Sequence, residues 1–312
     1  MCIRDRSADA DQTLSDAQLT GAGTDVLINV ESAQLTGGAG DNTIDASGFA
    51  AGSVTIDGGA GADTLTGSAA SDVIDGGAGD DSLVGGAGAD TLTGGAGADS
   101  LVGGAGDDCL TGGAGADALV GGDGTDKAVQ SVDADQSLTD SQLTGNGTDS
   151  LSGIETAQLT GGAGDNALDA SAFTGQTTLD GGAGDDVLTG GSNNDSLVGG
   201  DGADEIDGGA GVDTLEGGLG NDTLSGSEGS DDLDGGGNIA AVAAVAQVDT
   251  VTMDGGDAGD TWTVTVNGTD VAQAFDTNIA TTRTELIDAI NADATVGAIA
   301  VSYTHLTLPT KA

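Results

Sequence analysis

A chain of 312 residues with 60 glycines, but one tryptophan, one tyrosine and three phenylalanines, has too few aromatics for a conventional core. Its 52 acidic side chains against 5 basic ones give a formal charge of −47, which opposes compaction, argues against nucleic acid and anionic membranes as partners, and makes cations the expected ones. On composition alone, a disordered acidic chain competes with any folded reading.

The two ends differ from the rest. The codons ATG TGT ATA AGA GAC encode Met1 to Asp5, and their reverse complement, GTC TCT TAT ACA CAT, encodes Val301 to His305. Residues 1–6 and 301–312 therefore resemble translated read-through of a sequencing-library adapter and are set aside from fold reasoning. What remains is expected to be an internal piece of a longer protein. It carries Lys127 and Arg283 as its only bases, Cys109 as its only cysteine, and no histidine. A disulfide framework or a histidine-containing zinc site cannot form within it, and no signal peptide or membrane-spanning run is visible.

Residues 7–57 form a leader. "DADQ" at 9–12 lacks the glycine and distal glutamate of an EF-hand loop and reads as a surface turn. "LSDAQL" suggests a short helical turn with Ser15 as N-cap. Leu35 and Ile44 are nine apart, as are Ile56 and Leu65, with "ASGFAA" as a bulging insertion between the two pairs. "GGAGDN" places Asn42 where later words carry aspartate, which suggests a cap turn.

Residues 58–129 then parse without gaps into eight nonapeptides, from GGAGADTLT to GGDGTDKAV. A second leader, 130–180, repeats the first at a displacement of 124 residues, with "LTDSQL" opening at Leu138, Thr139 in the capping place and Asn166 in place of Asn42. Residues 181–236 hold six more nonapeptides. All fourteen words have aspartate at position six, and thirteen have Leu or Ile at position eight, Ala128 being the exception. Low-complexity sequence does not keep such a phase. In 237–300, "GNIAAVAAVAQ" reads as a linker, "DTWTVTVNGTDVAQAF" as a hairpin about Asn267-Gly268, "TRTELIDAINAD" as a helix capped by Thr284, and "VGAIAV" as a closing strand.

Within one word, glycines at positions one, two and four suit positive φ and close backbone approach, and the following three residues form a strand with its central Leu or Ile turned inward. Two words make a flattened coil of two turns and two strands. Stacked coils bury the aliphatic rows between two parallel sheets and align aspartates and turn carbonyls in columns along both edges. Such oxygen-rich cages suit Ca²⁺, which takes six to eight oxygens at about 2.3–2.6 Å. The fold expected is all-β, a parallel β-roll (β-solenoid) in two arrays, with a short β-rich module after them.

These words are similar to the RTX, or haemolysin-type, calcium-binding nonapeptide. The resemblance implies a β-roll with Ca²⁺ held between turns two words apart. It implies as ligands the carboxylates of Asp63, Asp72, Asp81, Asp90, Asp99, Asp108, Asp117 and Asp126, and of Asp186, Asp195, Asp204, Asp213, Asp222 and Asp231, with main-chain carbonyls completing each shell. "GSAASD" replaces two turn glycines with Ser68 and Ala70, so sites at that turn are expected to be weak or empty, and "GGSNND" puts Asn194 at position four. Lys127 is expected to mark the end of the first metal columns.

A solvated acidic linker is the bland alternative for the aspartates, and the unbroken phase argues against it. The G-x-G runs lack the buried strand and long helix of a dinucleotide turn, and Cys109 at position seven reads as an outward thiol. No nucleophile and base constellation appears, so the chain is expected not to be an enzyme itself. Two functions stay open. One is a calcium-binding spacer of a large bacterial adhesin or surface protein, secreted by the type I route that the resemblance implies; residues 237–300 resemble the opening of a module repeated in such adhesins. The other is the C-terminal region of a secreted protease, lipase or toxin whose active domain lies elsewhere. No nucleic acid or membrane insertion is expected.

Overall fold

A computed structural model describes residues 10–21 and 29–236, with the backbone of strands Cys2–Arg4, Thr24–Val26, Thr250–Met253, Thr261–Val266 and Thr269–Ala274. Among the described residues every regular element is a β-strand. The chain divides into two compact units, Met1–Gln130 with Asp140–Gln158, and Ser131–Thr139 with Leu159–Ala312.

In the first unit, strand Ser82–Ala87 pairs in parallel with Ser100–Ala105, and that with Ala118–Asp123, so that Leu83, Leu101 and Leu119 stand in one row. Val73–Ala78, Thr91–Ala96 and Cys109–Ala114 build the opposite sheet, with Ile74, Leu92 and Leu110 in register. Paired residues are 18 apart in sequence, which makes the coil two words long. Leu83, Leu92, Leu101 and Leu110 have no exposed surface, because alternate words send their position-eight side chains inward from opposite sheets. The second unit repeats this plan. Leu179, Leu197, Leu215 and Leu233 line one of its sheets, and Leu168, Leu188, Ile206 and Leu224 line the other. The architecture is a parallel β-roll.

Three local expectations are corrected. Most strands of the first array run six residues rather than three, as in Ser100–Ala105, because pairing continues through the glycine pair, Gly95 lying opposite Gly113. Positive φ is confined to positions two and four, as at Gly95 (+109°) and Gly97 (+145°). The position-one glycine is required for space instead: a Cβ on Gly94 would lie 2.5 Å from both Asp99 Oδ2 and the Gly112 carbonyl oxygen.

The third correction concerns the leaders. "LSDAQL" is no helical turn. Gln12–Ser15 and Gln18–Thr20 pair antiparallel, with Leu14 opposite Leu19 and both buried, so Ser15 ends a strand. In the first unit Gln142–Thr144 pairs antiparallel with Thr148–Ser152; in the second, Gln136–Thr139 pairs in parallel with Ala167–Ala172, so Thr139 also ends a strand. Period-two burial wins over a local cap because these leucines extend the roll's interior rows. Nor is "DADQ" only a surface turn. Gln12 is buried and donates to the Thr36 carbonyl at 2.7 Å, and Gln136 donates to that of Thr160 at 2.8 Å.

The leader does begin the winding, in longer coils: Leu35 faces Ile56 and Ile44 faces Leu65, 21 residues apart. The extra residues form the bulge at Phe49, whose N–H donates to the Ala46 carbonyl and whose ring is buried, as is that of Phe173 in the second unit. After residue 236, Thr250–Met253 and Thr261–Val266 pair in parallel with Thr223–Gly229 and Asp232–Asp234. Thr269–Ala274 then returns antiparallel on Thr261–Val266, the hairpin expected there. Its turn residues Asn267-Gly268, the linker, the helix capped by Thr284 and the closing strand lie outside the described residues.

Candidate metal centre

Every position-six aspartate sits at the entry to a strand, at most 3% exposed. One oxygen of each is held by the stack. Asp81 Oδ1 accepts the N–H of Asp63 at 2.7 Å, and Asp99 that of Asp81 and Asp117 that of Asp99 at 2.8 Å. On the other edge Asp72 donates to Asp90, Asp90 to Asp108 and Asp108 to Asp126, each at 2.8 Å. The second unit carries the same two columns, Asp186–Asp204–Asp222 and Asp195–Asp213–Asp231. Asp90 therefore shares a column with Asp72 and Asp108, and not with Asp81 or Asp99. Position five adds an exposed link on each edge, where Asp80, beside Asp81, accepts the N–H of Ala98 and Asp107, beside Asp108, accepts that of Thr125 in the next coil.

The second carboxylate oxygen is different. In the first array Oδ2 of Asp81, Asp90, Asp99, Asp108, Asp117 and Asp126 is buried with no hydrogen-bond donor. The same holds for Asp186, Asp204, Asp213 and Asp231 in the second. Each oxygen lies against the position-one glycine of its own word, and beside those of Asp81, Asp90, Asp99, Asp126, Asp186 and Asp204 a carbonyl of the following coil is close by. A Cβ on Gly76 would lie 2.5 Å from Asp81 Oδ2 and 2.7 Å from the Gly94 carbonyl oxygen. Buried acceptors face one another across space that only glycine leaves open.

Desolvation is the leading cause that raises these carboxyls, and like charges along the column add to it. Asp90 and Asp213 are pushed up to about 7 from an ordinary 3.8, and Asp99 and Asp204 to about 6. A folded-state pKa raised in this way gives stability that is full below about 3.8 and is lost as pH rises through 6 to 7. In chelator, then, a chain that is unfolded near pH 7.5 should gain β-structure, and with it a melting transition that moves upward, as pH falls towards 4.5. A flat thermal profile over that window would contradict the buried-carboxylate arrangement.

Four turns are closed by the protein's own donors. Ser68 gives its N–H to Asp72 Oδ2 at 2.6 Å and its hydroxyl to the same carboxylate at 3.0 Å. Gly191 N–H donates to Asp195 Oδ2 at 2.7 Å. The neutral side chains do likewise: Asn42 Oδ1 accepts from Gly38 at 2.6 Å, and Asn166 Oδ1 from Gly162 at 2.9 Å. Asn42, Asp72, Asn166 and Asp195 are the first carboxylate or carboxamide of their columns. Every column opens on a closed turn.

The columns do not stop at Lys127. Asp117 donates its N–H to Asp149 Oδ1 at 3.0 Å, and Asp126 donates to Glu155 Oε2 at 2.9 Å. Asp149 is 2% exposed, and burial raises its carboxyl to about 6. The reading of the sequence missed it, although a signal was there. Residues 144–152, TGNGTDSLS, form a nonapeptide whose first glycine is threonine and whose phase is broken by the insertion before it.

Among the described residues, no three His, Cys, Asp or Glu side chains converge on one point. A cation here would take one or two carboxylates and draw the rest of its shell from main-chain oxygens. The unpartnered Oδ2 atoms and the carbonyls beside them fit a hard, oxygen-seeking ion of variable coordination such as Ca²⁺.

Comparison with known families agrees. Residues 34–49, 57–92, 93–128, 171–206 and 207–239, together about half of the chain, match the model described as the RTX calcium-binding nonapeptide repeat (4 copies). No curated protein matches the chain.

Proposed function

Because the chain belongs to the RTX calcium-binding nonapeptide repeat family, we propose that it is a structural segment of a large secreted bacterial adhesin or surface protein that folds on calcium outside the cell. The observation that carries this reading is the set of buried aspartate oxygens that lack a donor and stand beside main-chain carbonyls. The ligand set is the fourteen position-six aspartates, with Asp72 and Asp195 contributing least because protein donors already hold both of their oxygens. Bound calcium supplies the positive charge that these columns lack. Without it, a formal charge of −47 keeps the chain expanded; with it, binding energy becomes folding energy.

The segment is not itself an enzyme in this reading. The 124-residue duplication favours a spacer, since repetition lengthens a stalk and adds no chemistry. The alternative, the C-terminal part of a secreted protease, lipase or toxin, rests on the same repeats. The complete gene separates them: further modules of this kind support the spacer, and an adjoining catalytic domain supports the alternative.

The ligand assignment is tested by mutant cycles read in calcium stoichiometry and affinity. Asp90→Ala combined with Asp108→Ala, in one column, should be strongly non-additive. Asp90→Ala combined with Asp99→Ala, in different columns, should be additive within about 0.5 kcal/mol. The reverse pattern would rule out calcium sites shared between turns two words apart.

A further inference from the structure

We infer that residues 144–155 of the second leader close the first array as an additional cation-binding coil, with Asp149 as a ligand and with Gly153 and Glu155 completing the last turn at Asp126. The inference rests on the calcium reading above and extends it to residues outside the fourteen words.

From Gly145 to Ser152 the backbone follows an array word, while Thr144, in the place of the first glycine, pairs antiparallel with Thr148. Gly145 and Gly147 have φ of +137° and +150°, at the positions that Gly95 and Gly97 hold with +109° and +145°. Leu151 lies opposite Leu119, and Ser150 N–H donates to the Asp117 carbonyl at 2.8 Å, as Ala118 N–H does to that of Asp99. Asp149 thereby stands next after Asp63, Asp81, Asp99 and Asp117, buried like them.

On the other edge, Asp126 is fully buried and its Oδ2 has no donor. The same Cβ direction of Gly121 that meets this oxygen meets the Gly153 carbonyl oxygen. Within the array, Gly103 plays that part beside Asp90 Oδ2. The exposed Glu155 carboxylate takes the place of a following aspartate in accepting the Asp126 N–H.

The chemistry of this closure distinguishes a site from a plain cap. A segment that merely covered the array's end would bring donors to its orphaned oxygens, as Ser68 does for Asp72. This segment leaves Asp117 Oδ2 and Asp126 Oδ2 without a donor, sets the Gly153 carbonyl beside the second, and adds the charges of Asp149 and Glu155, each of which takes an N–H with one oxygen. Acceptors gathered on buried acceptors are stabilised by a cation and by little else.

The test uses the full chain. Asp149→Asn and Glu155→Gln keep an oxygen for the N–H bonds of Asp117 and Asp126 while removing the charge, and Asp140→Asn, exposed in the same leader, is the control. Calcium bound per chain is measured by equilibrium dialysis, with circular dichroism recorded at saturating calcium. Support is a folded variant that binds about one ion fewer or needs severalfold more calcium to fold, with Asp140→Asn unchanged. Wild-type stoichiometry and midpoint in both folded variants would overturn the inference while leaving the calcium reading intact. So would loss of β-structure in both at saturating calcium, because a ligand role alone predicts a folded chain. A wild-type chain that binds no calcium would overturn both.

Discussion

In chelator the chain should give the circular dichroism of an unfolded polypeptide, and millimolar calcium should convert it to β-structure in a cooperative transition. Among the described residues, at least ten aspartate oxygens are buried without a donor. An ionised carboxylate taken out of water costs several kcal/mol unless its charge is matched, and native domains are stable by only about 5–15 kcal/mol. A few such unmatched groups are enough to unfold the roll near neutral pH. The columns couple the sites, since each aspartate holds the amide of the one 18 residues before it. A spectrum unchanged by chelator and then by calcium would refute ion-driven folding.

Leu101→Asp should abolish calcium-induced folding of the first array, whereas Ser100→Asp should leave it within about 0.5 kcal/mol of wild type. The two positions are adjacent in one strand and differ in the face they occupy. Leu101 has no exposed surface and stands between Leu83 and Leu119, so a carboxylate there is buried among aliphatic side chains with no cation in reach. Ser100 is exposed between Ser82 and Ala118, neither of them charged. The calcium midpoint by circular dichroism is the measurement. Equal folding of both variants would mean that the inward face has been misassigned.

The roll itself was legible because its physics is periodic. Aspartate at six and Leu or Ile at eight predicted the 18-residue coil, and the register of Leu83 with Leu101 bears it out. What escaped lies where the period is broken or the contacts are long-range. Asp149 was hidden because its word comes out of phase and begins with threonine. "LSDAQL" was misread because two strands of four and three residues are too short to display an alternation, and only the facing of Leu14 and Leu19 settles their conformation. The role of Ser68 could not be seen at all. In sequence it is a lost glycine; in space its hydroxyl and amide supply Asp72 with donors of the kind that, among the other position-six aspartates, Asp195 receives from Gly191 and ten others lack.

The closed turns at Asn42, Asp72, Asn166 and Asp195 give each roll a seeded end. At these turns protein donors already satisfy the carboxylate or carboxamide, while the coils stacked on them wait for their ligand. Growth of the roll is then one-directional, like a zip with its slider already seated. Calcium closes the zip, and the seeded end fixes where the closing starts. A chain of this design carries its own primer in each module, so lengthening it by duplication adds new starting points along with new coils and keeps the search for the first coil local.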